Sequence, residues 1–263
     1  MVEVGVLGPL LARGRTADVY AWRDGYVLKV FHDWFSRDSI EYEAMIGRLV
    51  HGAGLPAPLP GEVLSIDGHN ALVYERVEGQ SMVQAMQHQP WRVVSHARRL
   101  AALHARLHSD RFTGDLPDQK QGIKNKLFRA SALSGRARFA ALEALASMPD
   151  GDRLCHGDLH PGNVLVTPHG DVAIDWENAA IGNPLADVAR SSIILMGGRV
   201  AQPLLSPFSR LFHVAYIREY FRLRPGGEQE YRRWLPIVAA ARLSENIPGL
   251  HKWLLQQASG LVR

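Results

Sequence analysis

The sequence predicts an α+β protein with a small β-rich N-terminal lobe, residues 1–78, and a larger, mainly helical C-terminal lobe, residues 79–263. Short strand-like runs punctuated by turns fill the first 75 residues, whereas apolar residues recur at intervals of three and four from Gly79 onward. A length of 263 residues with 46% apolar residues supplies enough hydrophobic surface for a sizeable core in such an arrangement. Both a short disulfide-stapled peptide and a disordered chain are excluded.

The N-terminal lobe is predicted to contain two hairpins with one helix between them. Asp24-Gly25 joins the first pair of strands and Asp67-Gly68 joins the second, and Asp-Gly between apolar runs is a strong hairpin signal. The predicted strands are 19–22, 26–31, 61–66 and 71–75. Helical spacing of apolar residues predicts a helix over 36–50, before the segment GAGLPAPLPG.

The C-terminal lobe is predicted to be a set of helices interrupted by one compact β-like island at residues 153–176. Pro90 suits the first position of a helix, and apolar residues then follow with helical spacing. The predicted helices are 90–108, 119–147, 185–196, 207–223, 229–245 and 249–259.

Charge and cysteine content narrow the class of protein. Thirty Lys and Arg against 26 Asp and Glu give a formal charge of +4, which does not call for a nucleic-acid partner, and the six tryptophans are scattered. Cys155 is the single cysteine, so no intrachain disulfide can form. The N-terminus contains an acid where a signal peptide would be basic, and no apolar run approaches the ~18 residues of a membrane span. We expect a cytoplasmic protein without a membrane partner.

The polar residues with the clearest chemical meaning lie between two apolar runs of the β-like island. Asp158 and Asn163 offer oxygen donors five residues apart, and Asp175 ends the next predicted strand, where it could face them. Mg²⁺ prefers such a sparse set of oxygen ligands and completes its octahedron with water and nucleotide phosphates. The pattern therefore predicts a magnesium site.

Lys29 is the candidate cation of the N-terminal lobe. It shares one face of a predicted strand with Val27 and Phe31, so its ammonium group needs a compensating anion. Phosphate oxygens and a carboxylate would supply it. Glu43 on the following helix is the expected carboxylate, and Glu41, about 200° around that helix, is the alternative.

These residues resemble the aminoglycoside phosphotransferase and choline kinase branch of the protein kinase-like fold. The resemblance covers residues from about 11 to about 196, and its core is the string HGDLHPGNVL followed by IDWENAAIGNP and Asp187. It implies that Asp158 accepts or orients the proton of an acceptor hydroxyl and that Asn163 and Asp175 hold Mg²⁺. It also implies that Lys29 contacts the α- and β-phosphates of ATP or GTP while pairing with Glu43.

The same resemblance assigns the remaining nucleotide contacts. The segment LVYERVEG is similar to the family's hinge, so the carbonyl of Glu75 and the N–H of Val77 would bind the purine edge, with Tyr74 at the gatekeeping position. No GxGxxG stretch is present, and the hydroxyl of Thr16 in the loop around residues 12–18 takes its place beside the phosphates. Asp187 resembles a buried acid that braces the catalytic loop.

The implied activity is a small-molecule O-phosphotransferase that moves the γ-phosphate of ATP or GTP to an alcohol. Residues 197–263 carry ten Arg or Lys against four Glu, a local +6, which argues against a polycationic aminoglycoside and toward a neutral or anionic acceptor. Two other functions stay open. His156, Asp158 and His160 could bind zinc in a hydrolase, or the chain could be a catalytically silent nucleotide-binding regulator.

Overall fold

The computed structural model describes residues 7–66, 68–201 and 206–261, so Asp67 of the second predicted hairpin lies outside the described residues. The chain divides into two compact units. The first comprises Met1–Gln80 together with Leu165–Glu177, and the second comprises Ser81–Val164 together with Asn178–Arg263. The first is built on a β-sheet and the second is mainly helical, which confirms the predicted α+β architecture.

The first unit is organised around one antiparallel sheet of five strands in the order β1-β2-β3-β5-β4. The strands are β1 (Leu10–Arg13), β2 (Ala17–Ala21), β3 (Tyr26–Phe31), β4 (Pro60–Ile66) and β5 (His69–Glu75). Gly25 has a φ of 80° in the turn between β2 and β3, a conformation that favours glycine. Because β3 is central in this order, Lys29 lies between Val19 of β2 and Leu72 of β5.

One helix, α1 (Arg37–Gly52), packs on this sheet. Its N-cap is Ser36, whose side chain accepts a hydrogen bond from the N–H of Ser39. Ile40 and Ala44 are buried against Phe31 of β3, so the apolar stripe of the helix covers one face of the sheet. Glu43 lies beside this stripe and is also buried, which brings a carboxylate to the sheet.

The second unit contains eight α-helices within its described residues. They are α2 (Met82–His88), α3 (Val93–Leu107), α4 (Gln119–Arg129), α5 (Gly135–Ala146), α6 (Pro184–Ala201), α7 (Ser206–Leu223), α8 (Glu228–Arg242) and α9 (His251–Ala258). The predicted helix over 119–147 is wrong as a single element, because the chain turns at residues 130–134 and restarts with Ser134 as an N-cap. Helix α3 packs against α7, and α8 packs against α6, α4 and α9.

Short strands flank the polar segment 156–163. Strand β7 (Arg153–Cys155) pairs antiparallel with β10 (Ala180–Gly182). Strands β6 (Gln80–Ser81), β8 (Val164–Thr167) and β9 (Gly170–Ala173) form a three-stranded sheet in the order β6-β8-β9. The polar segment is thus fixed at both ends by backbone pairing.

Of the helices in the described part of the chain, none has the length and apolar character needed to cross a lipid bilayer.

Candidate active site

In the first unit, the ammonium group of Lys29 lies between two carboxylates. Its Nζ donates to Glu43 Oε1 at 2.7 Å and to Asp175 Oδ1 at 3.1 Å, and the Lys29 side chain is only 14% exposed. Burial alone would lower the pKa of Lys29, but the two carboxylates outweigh it and raise that pKa above its usual value. Lys29 is therefore a fixed positive charge held by residues of β3, α1 and the segment after β9.

Glu43 is held by a second contact from the sheet. The hydroxyl of Tyr74 on β5 donates to Glu43 Oε1 at 2.7 Å, and burial together with the Glu43 charge raises the pKa of Tyr74 well above 10. Glu41, the alternative partner of Lys29, instead accepts from Arg37 at 2.9 Å on the exposed side of α1. The structure thus pairs Lys29 with Glu43.

Asp175 follows β9 in an unusual backbone conformation. Its φ is 68°, in the left-handed region that non-glycine residues seldom occupy and that is often found at functional sites. The indole N–H of Trp176 donates to Ala173 O at 3.0 Å, which anchors this segment to the strand. The ligand atoms of Asp175, Glu43 and Glu177 lie within 4.8 Å of one another, and the ammonium of Lys29 contacts the first two.

The three remaining nucleotide-contact candidates lie at the ends of strands in the same unit. Thr16 precedes β2 in the turn after β1, and its carbonyl accepts from the N–H of His32 at 3.0 Å. Glu75 is the last residue of β5, and its N–H donates to Leu59 O at 3.0 Å. The N–H of Val77 has no acceptor among the described residues, so this donor is open to a ligand.

In the second unit, Asp187 at the start of α6 holds the first part of the polar segment. Its carboxylate accepts from the backbone N–H groups of His156 at 2.6 Å and Gly157 at 2.8 Å. It also contacts Nε2 of His104 at 3.0 Å and Nε2 of His108 at 3.4 Å. Burial would raise the pKa of Asp187, but these contacts hold it well below its usual range. Gly157 has a φ of 76°, and a Cβ there would lie 2.3 Å from Asn178 O, so this position requires glycine.

Asp158 is the next residue, and its carboxylate faces a cation on one side and an imidazole on the other. Oδ1 accepts from Arg190 Nη2 at 2.9 Å, and His160 Nε2 lies 3.6 Å from Oδ2. The N–H of Gly162 donates to His160 Nδ1, which leaves the ring proton on Nε2 facing Asp158. Burial would raise the pKa of Asp158, but His160 and Arg190 hold it well below its usual value, so the group is ionised at neutral pH.

Asn163 completes the polar segment of this unit. Its Nδ2 donates to the carbonyl of Asp158 at 3.0 Å, and the side chain is nearly buried. No described group donates to its Oδ1, so the amide oxygen is left for a ligand. Amide and carboxylate oxygens suit a hard divalent cation, so Asn163 and Asp175 have the donor chemistry for Mg²⁺.

A sequence model described as the phosphotransferase enzyme family matches residues 9–237. The chain belongs to this phosphotransferase family. The match covers most of the chain, including all the candidate residues described above, and the predicted resemblance is confirmed.

Solved structures of other phosphotransferases share the fold. A thermostable mutant of aminoglycoside phosphotransferase APH(4)-Ia, in a ternary complex with AMP-PNP and hygromycin B, has a TM-score of 0.67 at 17% identity and covers 97% of this chain and 92% of that one. A choline/ethanolamine kinase family protein from Mesorhizobium loti has a TM-score of 0.62 at 19% identity, with 97% and 86% covered. An aminoglycoside-3'-phosphotransferase of type VIII has a TM-score of 0.62 at 22% identity, with 93% and 91% covered. These likenesses confirm the kinase-like two-lobed fold. No curated protein matches the sequence significantly.

Two residues of the ion-pair chain that begins at Asp158 were not predicted for this phosphotransferase. Arg190 on α6 bridges Asp158 to Glu245, and its Nε donates to the carbonyl of Gly157 at 3.1 Å. Glu245 lies in a 3-10 turn after α8, 55 residues away in sequence. A signal was present for Arg190, since it lies three residues after Asp187 and so shares its helix face.

The zinc site that was considered for His156, Asp158 and His160 is not formed. Across the ranges that the structure describes, the groups of acids, histidines and cysteine that could hold a metal are Glu43 with Asp175 and Glu177, and His104 with His108 and Asp187. His156 Nδ1 and His160 Nδ1 each accept a backbone N–H of the polar segment. The two histidines therefore order this segment of the phosphotransferase.

Proposed function

We propose that this protein transfers the γ-phosphoryl group of ATP or GTP to a hydroxyl of a small-molecule alcohol in a Mg²⁺-dependent reaction. The observation that carries the proposal is the ionised carboxylate of Asp158, held by Arg190 on a segment braced by Asp187, in a chain of the phosphotransferase family. The aminoglycoside phosphotransferase APH(4)-Ia described above was solved in a ternary complex with AMP-PNP and hygromycin B, which supports a nucleotide donor. The proposed location is the cytoplasm, on the basis of the single cysteine.

The first unit is proposed to bind the nucleotide. Lys29, fixed by Glu43, would contact the α- and β-phosphates, and the hydroxyl of Thr16 would lie beside them. The carbonyl of Glu75 and the open N–H of Val77 would bind the purine edge. The acceptor would bind in the helical unit, close to Asp158.

Asn163 and Asp175 are the proposed ligands of Mg²⁺, which when bound supplies positive charge to the phosphate oxygens. Phosphoryl transfer proceeds through a loose transition state, so the protein contributes mainly alignment and charge neutralisation. A fixed ammonium at Lys29, the ionised carboxylate of Asp158 and the oxygen ligands of Asn163 and Asp175 suit these two tasks.

In the proposed step, the acceptor oxygen forms a bond to the γ-phosphorus while the bond from that phosphorus to the β,γ-bridging oxygen breaks. The hydroxyl proton passes to Asp158 and then to solvent, and the nucleoside diphosphate leaves with the bridging oxygen. Because the pKa of Asp158 is held low, the carboxylate chiefly orients the hydroxyl and takes the proton late.

The test is the substitution Asp158→Asn, which keeps the shape of the side chain and removes its charge. We expect the turnover rate to fall by about 10²–10⁴-fold while Mg²⁺-AMP-PNP binding, measured by calorimetry, stays within a few-fold of the parent. Equal turnover in parent and variant contradicts the assignment. Tight Mg²⁺-nucleotide binding without turnover of any acceptor would favour the silent regulator, and stoichiometric zinc in the purified protein would favour the hydrolase.

A further inference from the structure

The two units each contain a partly buried lysine, and the surroundings of the two lysines are opposite. Lys29 contacts two carboxylates, and its pKa is raised. The side-chain ammonium group of Lys126 on α4 makes no hydrogen bond and no ion pair with any described residue. Burial and the charge of Arg190 lower the pKa of Lys126, because the acids in range do not offset them. The chain thus leaves a cation in the helical unit without its counter-charge.

Lys126 lies in the same group of charges as the proposed base. Arg190, Glu245 and Asp158 all act on it electrostatically, as does Arg129 one turn further along α4. Helix α4 packs against α8 and against the 3-10 turn that carries Glu245, so the helix of Lys126 lies beside the residue that Arg190 bridges to Asp158. The charged residues near Asp158 in this unit therefore come from α6 (Arg190), from the 3-10 turn (Glu245) and from α4 (Lys126).

The acids of this group are already engaged. Arg190 binds Asp158 with one nitrogen and Glu245 with another, so both carboxylates face a guanidinium group. This group therefore contains three cations and two acids, the cations being Lys126, Arg129 and Arg190. An acceptor with several ammonium groups would add positive charge to this surplus, whereas an acceptor with an anionic group would neutralise it.

We infer that the acceptor is an alcohol that also carries a carboxylate or phosphate group, and that Lys126 binds this group beside Asp158. The inference rests on the proposed function and narrows its substrate class. Lys126 contacts the acceptor in this scheme and sets specificity, while Asp158 and Mg²⁺-nucleotide carry the transfer itself. A partly buried ammonium group without an ion-pair partner lowers the stability of the ligand-free protein, because it has lost part of its hydration. An oxyanion that binds to it supplies a charge-assisted hydrogen bond in place of the lost water.

The first test compares acceptors that differ only in the anionic group. The full-length protein with Mg²⁺-ATP is assayed for ADP release and phosphorylated product with glycerol, glycerate and glycerol 3-phosphate, and with ribose and ribose 5-phosphate. Choline and kanamycin represent cationic acceptors. We expect the anionic member of a set to exceed its neutral parent by about 10-fold or more in kcat/KM. Comparing glycerate with the two sugar and glycerol phosphates shows whether the site prefers a carboxylate or a phosphate group. A higher kcat/KM for a neutral or cationic acceptor overturns the inference.

The second test measures anion binding directly and does not depend on including the natural acceptor. Sulfate, phosphate and glycerate are titrated by calorimetry into protein saturated with Mg²⁺-AMP-PNP. We expect at least one of these anions to bind the parent and to bind Lys126→Gln about 10- to 100-fold more weakly. Lys124→Gln is the matched control, since Lys124 is exposed on the same helix, and it should bind like the parent.

The outcomes separate this inference from the proposed function. No anion binding to the parent, or equal binding by Lys126→Gln, overturns the role of Lys126 while Asp158-dependent transfer still stands. Weaker AMP-PNP binding in Lys126→Gln would assign the lysine to the nucleotide and also overturn the inference. Failure of the parent to bind Mg²⁺-AMP-PNP at all contradicts the proposed function itself.

Discussion

At the scale of single residues, two glutamates of α1 differ only in which side of the helix they occupy. Glu43 is buried against Lys29 and Tyr74, whereas Glu41 is exposed beside Arg37. Breaking a buried ion pair leaves an uncompensated charge, whereas an exposed pair on a helix is screened by water. The same chemical change at the two positions should therefore have different consequences.

Glu43→Gln is expected to lower the free energy of unfolding by about 3 kcal/mol, because Lys29 loses its closest anion. Glu41→Gln should change it by about 0.5 kcal/mol or less. Urea denaturation of both variants checks this difference. Equal decreases in the free energy of unfolding for the two variants would contradict a larger contribution from the buried ion pair.

Arg190 is predicted to act as a positioning residue for Asp158. Arg190→Met should lower kcat by about 10²-fold through a misplaced carboxylate, with the nucleotide dissociation constant unchanged. Once this cation is removed, burial raises the pKa of Asp158, so activity should be lost at acidic pH where the parent retains it. Arg190→Lys should recover part of the loss, since it keeps the charge without the planar fork.

The pH profile separates positioning from a merely structural role for Arg190. Arg222→Met is the control, because Arg222 forms an exposed pair with Glu219. A variant that loses rate at all pH values equally would contradict the assignment.

The chemistry-bearing residues differ in how far sequence could identify them. Asp158, Asn163 and Asp175 occur in short strings whose spacing carries the signal. Arg190 contacts Asp158 across 32 residues of sequence and Glu245 across 55, so no local pattern encodes these contacts. The unpaired ammonium group of Lys126 is likewise visible only once α4 has packed against α8 and the turn that carries Glu245.

At the scale of elements, α3 and α7 are joined by buried polar contacts. His108 Nδ1 contacts the hydroxyl of Tyr220 at 2.9 Å, and His104 Nδ1 contacts that of Tyr216 at 2.6 Å. Burial and the charge of His104 lower the pKa of His108 from 6.5 to about 4. Packing of these two helices is therefore sensitive to acid.

His108 is predicted to make the fold less stable as the pH falls from 6.5 to 4. The unfolded chain binds the proton near pH 6.5 and the folded chain only near 4, so the stability present above 6.5 declines by up to about 3 kcal/mol across that window. In His108→Gln the decline should be shallower by that amount, as urea denaturation at pH 7, 6, 5 and 4 would show. His251→Gln, at an exposed position of α9, should decline like the parent.

Elements with strong periodicity were predicted, and those fixed by distant pairing were missed. β3 has the predicted bounds, and α1 differs from its prediction by one or two residues at each end. β1 was missed because its four residues are all exposed and show no alternation, and β10 because it is defined by pairing with β7. α2 had a readable signal, the capping box of Ser81 and Gln84.

At the scale of the whole molecule, nucleotide binding is predicted to raise stability only when Mg²⁺ is present. With Mg²⁺-AMP-PNP at 100 times its dissociation constant, the free energy of unfolding should rise by about 2.7 kcal/mol. For a chain of this size, that corresponds to roughly 5–10 °C in melting temperature. Thermal unfolding with and without EDTA checks the result.

The metal ligand is tested in the same measurement. Asp175→Asn should lose most of the Mg²⁺-dependent shift, whereas Asp171→Asn, at a nearby position of β9, should keep it. An equal shift in EDTA would remove Mg²⁺ from the proposed mechanism.

The first unit is assembled from two separate stretches of chain, with 84 residues of the second unit, Ser81–Val164, between them. On the ribosome, the sheet that carries Lys29 is made early, but Asp175 and strand β9 arrive only after the first half of the helical unit has been synthesised. Domains generally fold as units, beginning with those that emerge first. The first unit therefore cannot be completed until residues 165–177 have been synthesised, and before that point Glu43 is the one translated member of the two carboxylates that contact Lys29.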